Sequence, residues 1–466
     1  MRLLTGLLVL VFSGDFGLAD DRPNIVFMLS DDQSWNGTSV PMHPEVPFSK
    51  SSIIQTPSLE KLASEGMRFT NAYAPASVCS PTRCSLQLGM SPAQTGWTKA
   101  APVVRSSDGY RLIPPQIAKS LDKRTVTIAE LLRDVGYATA HYGKWHLNGD
   151  GPAAHGYDES DGATGNEYAY RYGDPNPVDI FGMADRASAF MKKCRDAGKP
   201  FFVQLSWHAL HAPENALKST IEKYERITGG RAPRGAAISE DLDSGVGRVM
   251  DAVERLGLTG NTFVIYMSDN GGGGGGRRNQ LRGGKGSVYE GGIRSPLIVR
   301  GPGVPENSWC HVPVVGYDFF PTYCEWAGVP KNRVPRQIEG GSLTSLLANG
   351  GTGVVHRPRE ELVFHFPHYQ SADGPQSALI LGDLKLMKFY EDDRLALFDL
   401  SDDIQERNDL SAKRPAVTKR LHDRLQRYLS DVNAGLLKPN PRFDPANAPP
   451  LIQRGPPRGE RSRRRR

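Results

Sequence analysis

Long apolar runs are nearly absent from this 466-residue chain. One of them, residues 3–12, follows a single charge at Arg2 and precedes the small-residue end Gly17-Leu18-Ala19, where a signal peptidase could cut. Residues 1–19 are therefore expected to be a signal peptide that sends the protein to the periplasm or the cell exterior. The run is too short to span a bilayer, and no other stretch is long and apolar enough to try. No cysteine directly follows Ala19, which leaves lipid attachment without a site. Cysteine is scarce, and the five present are an odd number, so in an oxidising compartment at least one is unpaired within the chain or chemically used. Cys79 is the natural candidate, and the sequence does not choose among pairings of Cys84, Cys194, Cys310 and Cys324. Net charge is also nearly missing from the body. The formal charge is +6, but residues 454–466 hold seven Arg and one Glu, which accounts for the whole excess. That leaves no reason to expect a nucleic-acid partner. The Pro- and Arg-rich segment 438–466 is expected to be disordered, with its basic end a candidate contact for polyanions.

What remains is an ordinary soluble composition, 38% apolar and 23% charged, with 50 Gly and 35 Pro pointing to many ordered loops. Residues 24–29 form a continuous apolar run that ends in Ser30-Asp31-Asp32, the pattern of a buried parallel strand delivering polar groups at its carboxyl end. The device recurs at 262–267 before Ser268-Asp269-Asn270, and at 200–205 before Ser206-Trp207-His208 and His211. Helix patterns lie between, opened by Thr56-Pro57 and by a Thr127/Glu130 capping box, with longer helices fitting 179–193 and 237–256. This alternation predicts an α/β domain over residues 22–355, a doubly wound and mostly parallel sheet flanked by helices, with its site at the carboxyl edge. From about His356 the pattern changes to strands at 362–366, 378–381, 384–389 and 395–399 and a helix at 415–432. A small C-terminal α+β domain over 356–437 follows.

The chemistry-bearing residues cluster in motifs. Cys79-Ser80-Pro81-Thr82-Arg83 puts Pro where a helix begins and Arg one turn in, and helix N-termini bind anions through free N–H groups. Asp31, Asp32, Asp269 and Asn270 all offer hard oxygen ligands at strand ends, a set suited to a hard divalent cation. Gly271 to Gly276 would let the backbone pass close to it. Gly143-Lys144-Trp145-His146 follows a strand pattern at 137–142. His211-Ala212-Pro213 follows another, and Lys285 sits in Gly283-Gly284-Lys285-Gly286-Ser287.

In this order the motifs resemble the formylglycine-dependent sulfatases, of the type I family within the alkaline phosphatase superfamily. The match runs from about Pro23 to Leu410 and ends on Leu397-Phe398-Asp399-Leu400 and Asn408-Asp409-Leu410. It departs at Gln87 and Leu88, where an apolar residue and Thr are usual, and at Tyr142, where a smaller residue is. The resemblance implies that a maturation enzyme oxidises Cys79 to formylglycine (3-oxoalanine), whose hydrated diol is the nucleophile. It also implies one calcium ion held by Asp31, Asp32, Asp269, Asn270 and the modified Cys79. Arg83 would orient the diol, and Lys144 and Lys285 would hold the sulfate. His146 would take the second diol proton and His211 would protonate the leaving alcohol, with His208 as its rival. The implied activity is hydrolysis of a sulfate ester, with a sulfated carbohydrate the expected substrate. Two alternatives keep these motifs: a phosphonate or phosphodiester hydrolase with the same nucleophile, and an unmatured polyanion-binding protein without activity.

Overall fold

The computed structural model describes residues 22–100, 108–230, 233–272, 280–371 and 373–448. The expected signal peptide, the glycines from 273 to 276 and the Arg-rich end lie outside the described residues. At the centre is an eight-stranded sheet. Its strands lie in the order Ser308–Cys310, Met67–Phe69, Leu297–Arg300, Thr262–Ser268, Asn24–Ser30, Phe201–Ser206, Ala138–Gly143 and Glu159–Ser160. The five strands from Thr262–Ser268 to Glu159–Ser160 are mutually parallel, and Leu297–Arg300 runs antiparallel to both neighbours. The sheet is thus mixed and mostly parallel, as expected.

Alternate side chains of each strand feed opposite faces, because successive Cβ atoms point to opposite sides. Val26, Met28, Val203, Leu205, Val264 and Tyr266 enter one apolar cluster, with the helices Ile180–Asp196 and Pro233–Arg255. Ile25, Phe27, Leu29, Phe202, Ile265 and Met267 enter a second, with the helices Cys79–Leu88, Ile128–Asp134 and Phe319–Trp326. Burial on both faces explains the unbroken apolar runs. The Thr127/Glu130 capping box forms as read, with both reciprocal hydrogen bonds present. The helix Lys218–Thr228 went unread, because only three of its residues are buried and its apolar signal is weak.

The strands Leu362–Phe366, Gln376–Leu381, Leu384–Phe389 and Leu395–Asp399 form an antiparallel sheet in sequence order. One face packs Leu425 and Leu429 of the helix Pro415–Asp431 on Leu379 and Leu386. The other shares a core with the large domain, through Phe364, Met387 and Phe398 against Tyr73, Tyr289 and Ile293. Order also continues past residue 438, contrary to expectation. Lys438–Pro439 pairs with Leu112–Ile113, Asn440 N–H donates to Arg111 O at 2.8 Å, and Asp444 N–H to Asp108 O at 2.8 Å. Backbone pairing orders this stretch, a device that composition does not reveal.

Asp318 clasps the junction between the two sheets. Its fully buried carboxylate accepts from Arg357 Nε at 2.8 Å and Nη2 at 2.6 Å, and from the N–H groups of Val315 at 2.8 Å and Gly341 at 3.0 Å. Asp318→Ala would leave the Arg357 guanidinium buried without its counter-charge, a loss of about 3–5 kcal/mol. Chemical denaturation should show a fall of that size in unfolding free energy.

Candidate active site

Register places the polar groups. Ser30 pairs with Ser268, Leu29 with Ser206, and Gly143 with Ser206, so four adjacent strands end at one level. The residues that follow them, Asp31 and Asp32, Asp269 and Asn270, Lys144 to His146, and His208 to His211, therefore share one sheet edge. Backbone bonds tie the ends together: Asp31 N–H donates to Ala209 O at 2.8 Å, Leu210 N–H to Asp31 O at 2.6 Å, and Lys144 N–H to Ser206 O at 2.7 Å. Asp32 and His146 have φ of 61° and 57°, conformations that non-glycine residues rarely adopt and that cluster at functional sites.

Facing this edge is the first turn of the helix Cys79–Leu88, every residue of which is buried. Cys79 is its first residue, and Cys79 Sγ lies 3.5 Å from His146 Nδ1. Ser80 Oγ donates to His146 O at 3.0 Å, which ties the imidazole's backbone to the helix start. One turn on, Arg83 donates to Asp269 Oδ2 from Nε at 3.1 Å and Nη2 at 2.7 Å, and to Lys144 O at 2.6 Å. Lys144 Nζ donates to Asp31 Oδ2, and Lys285 Nζ to Asp32 Oδ1 at 2.5 Å. Three carboxylates thus meet three cations around one sulfur.

The electrostatics follow from burial. Burial alone would raise the Asp31 carboxyl, but Lys144, Arg83 and Lys285 override it and hold it far below the carboxylate range. Asp269 is pushed up to about 6 by burial and by Asp31 beside it. The Cys79 thiol is also pushed up by burial, which Lys144 and Lys285 do not overcome, so the unmodified side chain is no thiolate nucleophile. Burial and then Lys144 depress His146 to about 2, which keeps the imidazole neutral.

Whether this edge fits a cation can be judged from its oxygens. One ligand atom each of Asp31, Cys79 and Asp269 lies within 4.8 Å of the others. Asp31 Oδ1 and Asn270 Oδ1 are buried and have no hydrogen-bond partner among the described residues. Asn270 turns its oxygen free because its Nδ2 donates to Asp32 Oδ1 and Gly271 O, each at 2.8 Å. Orphaned buried oxygens cost free energy unless something binds them. A hard divalent cation suits oxygens of this kind. The residues fit the group.

Comparison with known proteins identifies the family. A Sulfatase family profile matches residues 23–329, and a profile for the C-terminal part of N-sulphoglucosamine sulphohydrolase matches 284–431. The chain belongs to the sulfatase family. Its activity is hydrolysis of a sulfuric ester. Arylsulfatase A of Homo sapiens is 31% identical over 399 residues, covering 76% of this chain and 72% of that protein. Two solved structures share the fold. Ps i-CgsB in complex with k-i-k-neocarrahexaose has a TM-score of 0.73 at 23% identity, over 88% of this chain and 93% of that one. A chain solved with its substrate D-glucosamine-2-N,6-O-disulfate has 0.65 at 20% identity, over 88% and 98%.

Direct contacts in the sulfatase join Asp31, Asp32, Cys79, Arg83, Lys144, His146, Asp269, Asn270 and Lys285. No side-chain hydrogen bond or ion pair joins His211 to them, although its charge is felt at Asp31. It lies on the turn bonded to Asp31, with its N–H on His208 O at 3.0 Å and its Nδ1 2.9 Å from Ala212 O. His208 is buried, its Nδ1 has no partner among the described residues, and burial depresses it to about 3. The unusual Gln87 is absorbed into a buried row, donating to Gln204 at 3.0 Å and accepting from Tyr157 at 3.0 Å. Tyr142 reaches outward to Glu159 at 2.9 Å. Sequence reasoning missed Thr164, whose O and Oγ1 accept from the N–H groups of His146 at 2.8 Å and Trp145 at 2.9 Å. A lone Thr eighteen residues beyond a motif carries no signal of that role.

A divalent cation at a hundredfold excess over its dissociation constant should stabilise the fold by about 2.7 kcal/mol, read as a higher melting temperature. Asn270→Leu should shrink that rise, and an unchanged rise would place the ion elsewhere.

Proposed function

We propose that this sulfatase is an exported enzyme that removes sulfate from a sulfated carbohydrate, using Cys79 converted to formylglycine and one calcium ion. The observation that carries the reading is Cys79 Sγ 3.5 Å from His146 Nδ1 and within 4.8 Å of ligand atoms of Asp31 and Asp269, carboxylates to which Lys144 and Arg83 are bonded. Here Sγ stands where a diol oxygen of the converted side chain would be. Formylglycine supplies, as its hydrate, the nucleophilic oxygen that a buried and protonated thiol does not. Asp31, Asp32, Asp269, Asn270 and that side chain would hold the calcium ion, which would supply positive charge beside the sulfuryl oxygens.

The remaining work falls to the chain itself. Lys144 and Lys285 place ammonium charge on the sulfuryl oxygens as negative charge gathers there. Arg83, fixed by its two bonds to Asp269, holds the nucleophilic group in line. His146 would take the proton of the second diol hydroxyl at Nδ1, the atom that faces Cys79. His211, on the same sheet edge, donates a proton to the departing alcohol. Three fixed cations suit an anionic ester. The carbohydrate reading extends to this chain the sugar disulfate of one structural neighbour. Export rests on the apolar run at residues 3–12 and its small-residue end.

Cys79→Ala should abolish turnover of an aryl sulfate while leaving the melting temperature close to the parent's, because the side chain forms no bond on which the core depends. Turnover near the parent level would contradict the nucleophile assignment. Phosphodiesters should be poor substrates of the converted enzyme under matched conditions, and comparable turnover would move the reading to a phosphodiester hydrolase. His211→Ala should slow alkyl or sugar sulfates by about 10²–10⁴-fold and nitrophenyl sulfate hardly at all, since a good leaving group needs little protonation. Equal losses in a leaving-group series would remove His211 as the acid.

A further inference from the structure

Lys285 reaches Asp32 from a loop that lies outside the parallel core, and its position depends on what grips that loop. Its base is closed by Gly291 N–H donating to Arg282 O at 2.7 Å. Its tip touches the nucleophile segment, where Gly286 N–H donates to Ser77 O at 2.8 Å, two residues before Cys79. Immediately after it, Glu290 opens the short helix Glu290–Ile293, and here the C-terminal sheet enters. Lys385, in the strand Leu384–Phe389, donates to Glu290 Oε1 at 2.8 Å. The same Nζ lies 2.8 Å from Glu406 Oε1, an ion pair without the alignment of a hydrogen bond. Glu406 Oε2 in turn accepts from Glu290 N–H at 2.7 Å, and Arg282 donates to Glu406 O at 2.8 Å. Lys385, Glu290 and Glu406 are all completely buried. Glu406 has φ of 54°, a conformation rare outside glycine that the surrounding bonds maintain.

We propose that Lys385 is a positioning residue for sulfate binding: by clamping Glu290 and Glu406 it fixes the loop that carries Lys285, so the C-terminal domain completes the catalytic site. The inference rests on Lys285 being a sulfate ligand. The loop is held at its tip, at Ser77, by the large domain and beside its base, at Glu290, by the small one, and a long ammonium side chain is accurate only if its backbone is fixed. A charged clamp is directional in a way that an apolar contact is not. It sets the register of Glu290 against the sheet, and with it the distance from Lys285 to Asp32.

The test measures calorimetrically the affinity of inorganic sulfate for full-length enzyme with Cys79 converted, in a double-mutant cycle. Lys385→Met leaves the buried Glu406 without its cation and Glu290 with Arg294 alone, whose Nε donates to Glu290 Oε2 at 2.6 Å, so Lys385→Met/Glu406→Gln, which removes one charge of each sign, serves as the second variant. Lys285→Ala alone should weaken sulfate. In the Lys285 background the charge-balanced variant should weaken it about tenfold, within the range seen for coupled neighbours, and in the Lys285→Ala background less than about twofold. Lys385→Arg should restore most of the affinity. Equal losses in both backgrounds, or none in either, would overturn the proposal while leaving Lys285 as a sulfate ligand. Unchanged affinity in Lys285→Ala itself would remove that assignment, and the proposal with it.

Discussion

Carboxylates buried at the end of a sheet cannot remain ionised together without cations beside them, and this constraint organises the catalytic edge. Asp31, Asp32 and Asp269 lie within one small volume, and Asp31 and Asp269 have no solvent exposure. Arg83 and Lys144 meet them from the nucleophile helix and the neighbouring strand, and Lys285 from a loop. Without Arg83 or Lys144, the buried Asp31 and Asp269 would be driven to protonate or recruit a metal, because no solvent reaches them. Asp31 Oδ1 and the amide oxygen of Asn270, which have no hydrogen-bond partner among the described residues, show the same balance from the other side.

The same burial decides what Cys79 can do. A thiol at a helix start beside two lysines is often acidic, yet enclosure raises this one. The surroundings, with a neutral His146 at Nδ1 and a guanidinium fixed on Asp269, are matched to an oxygen nucleophile more than to a sulfur one. On the proposed reading, chemistry here depends on a side chain that the genetic code does not specify, and the fold supplies the residues around it. The C-terminal sheet takes part as well, since its apolar face is built into the large domain.

The strand ends were legible in the sequence because both faces of the central strands are buried, and an uninterrupted apolar run that stops at Asp-Asp or Asp-Asn has few other readings. Cys79, Arg83, Lys144 and Lys285 were legible through motif order, a signal that comes from resemblance and not from periodicity. The partners that hold them were not. Thr164 and Ser80 act through one or two hydrogen bonds each, and Asp318 through bonds to residues up to 39 positions away. Such contacts leave no local pattern. The ordered stretch 438–448 escaped for a related reason: its backbone pairs with residues more than 300 positions earlier, and its Pro-rich composition says nothing of the pairing. Gln87 shows the opposite error, a residue that reads as a flaw in a motif and proves to be satisfied by Gln204 and Tyr157.

The central claim is that the reacting atom on residue 79 is an oxygen on a converted cysteine. Mass analysis of the Cys79 peptide, made on protein whose aryl sulfate turnover is measured in parallel, tests it most directly. The account predicts that sulfur is lost from that peptide and that turnover across preparations rises in proportion to the converted fraction. Full activity in protein whose Cys79 peptide keeps its sulfur throughout would contradict it.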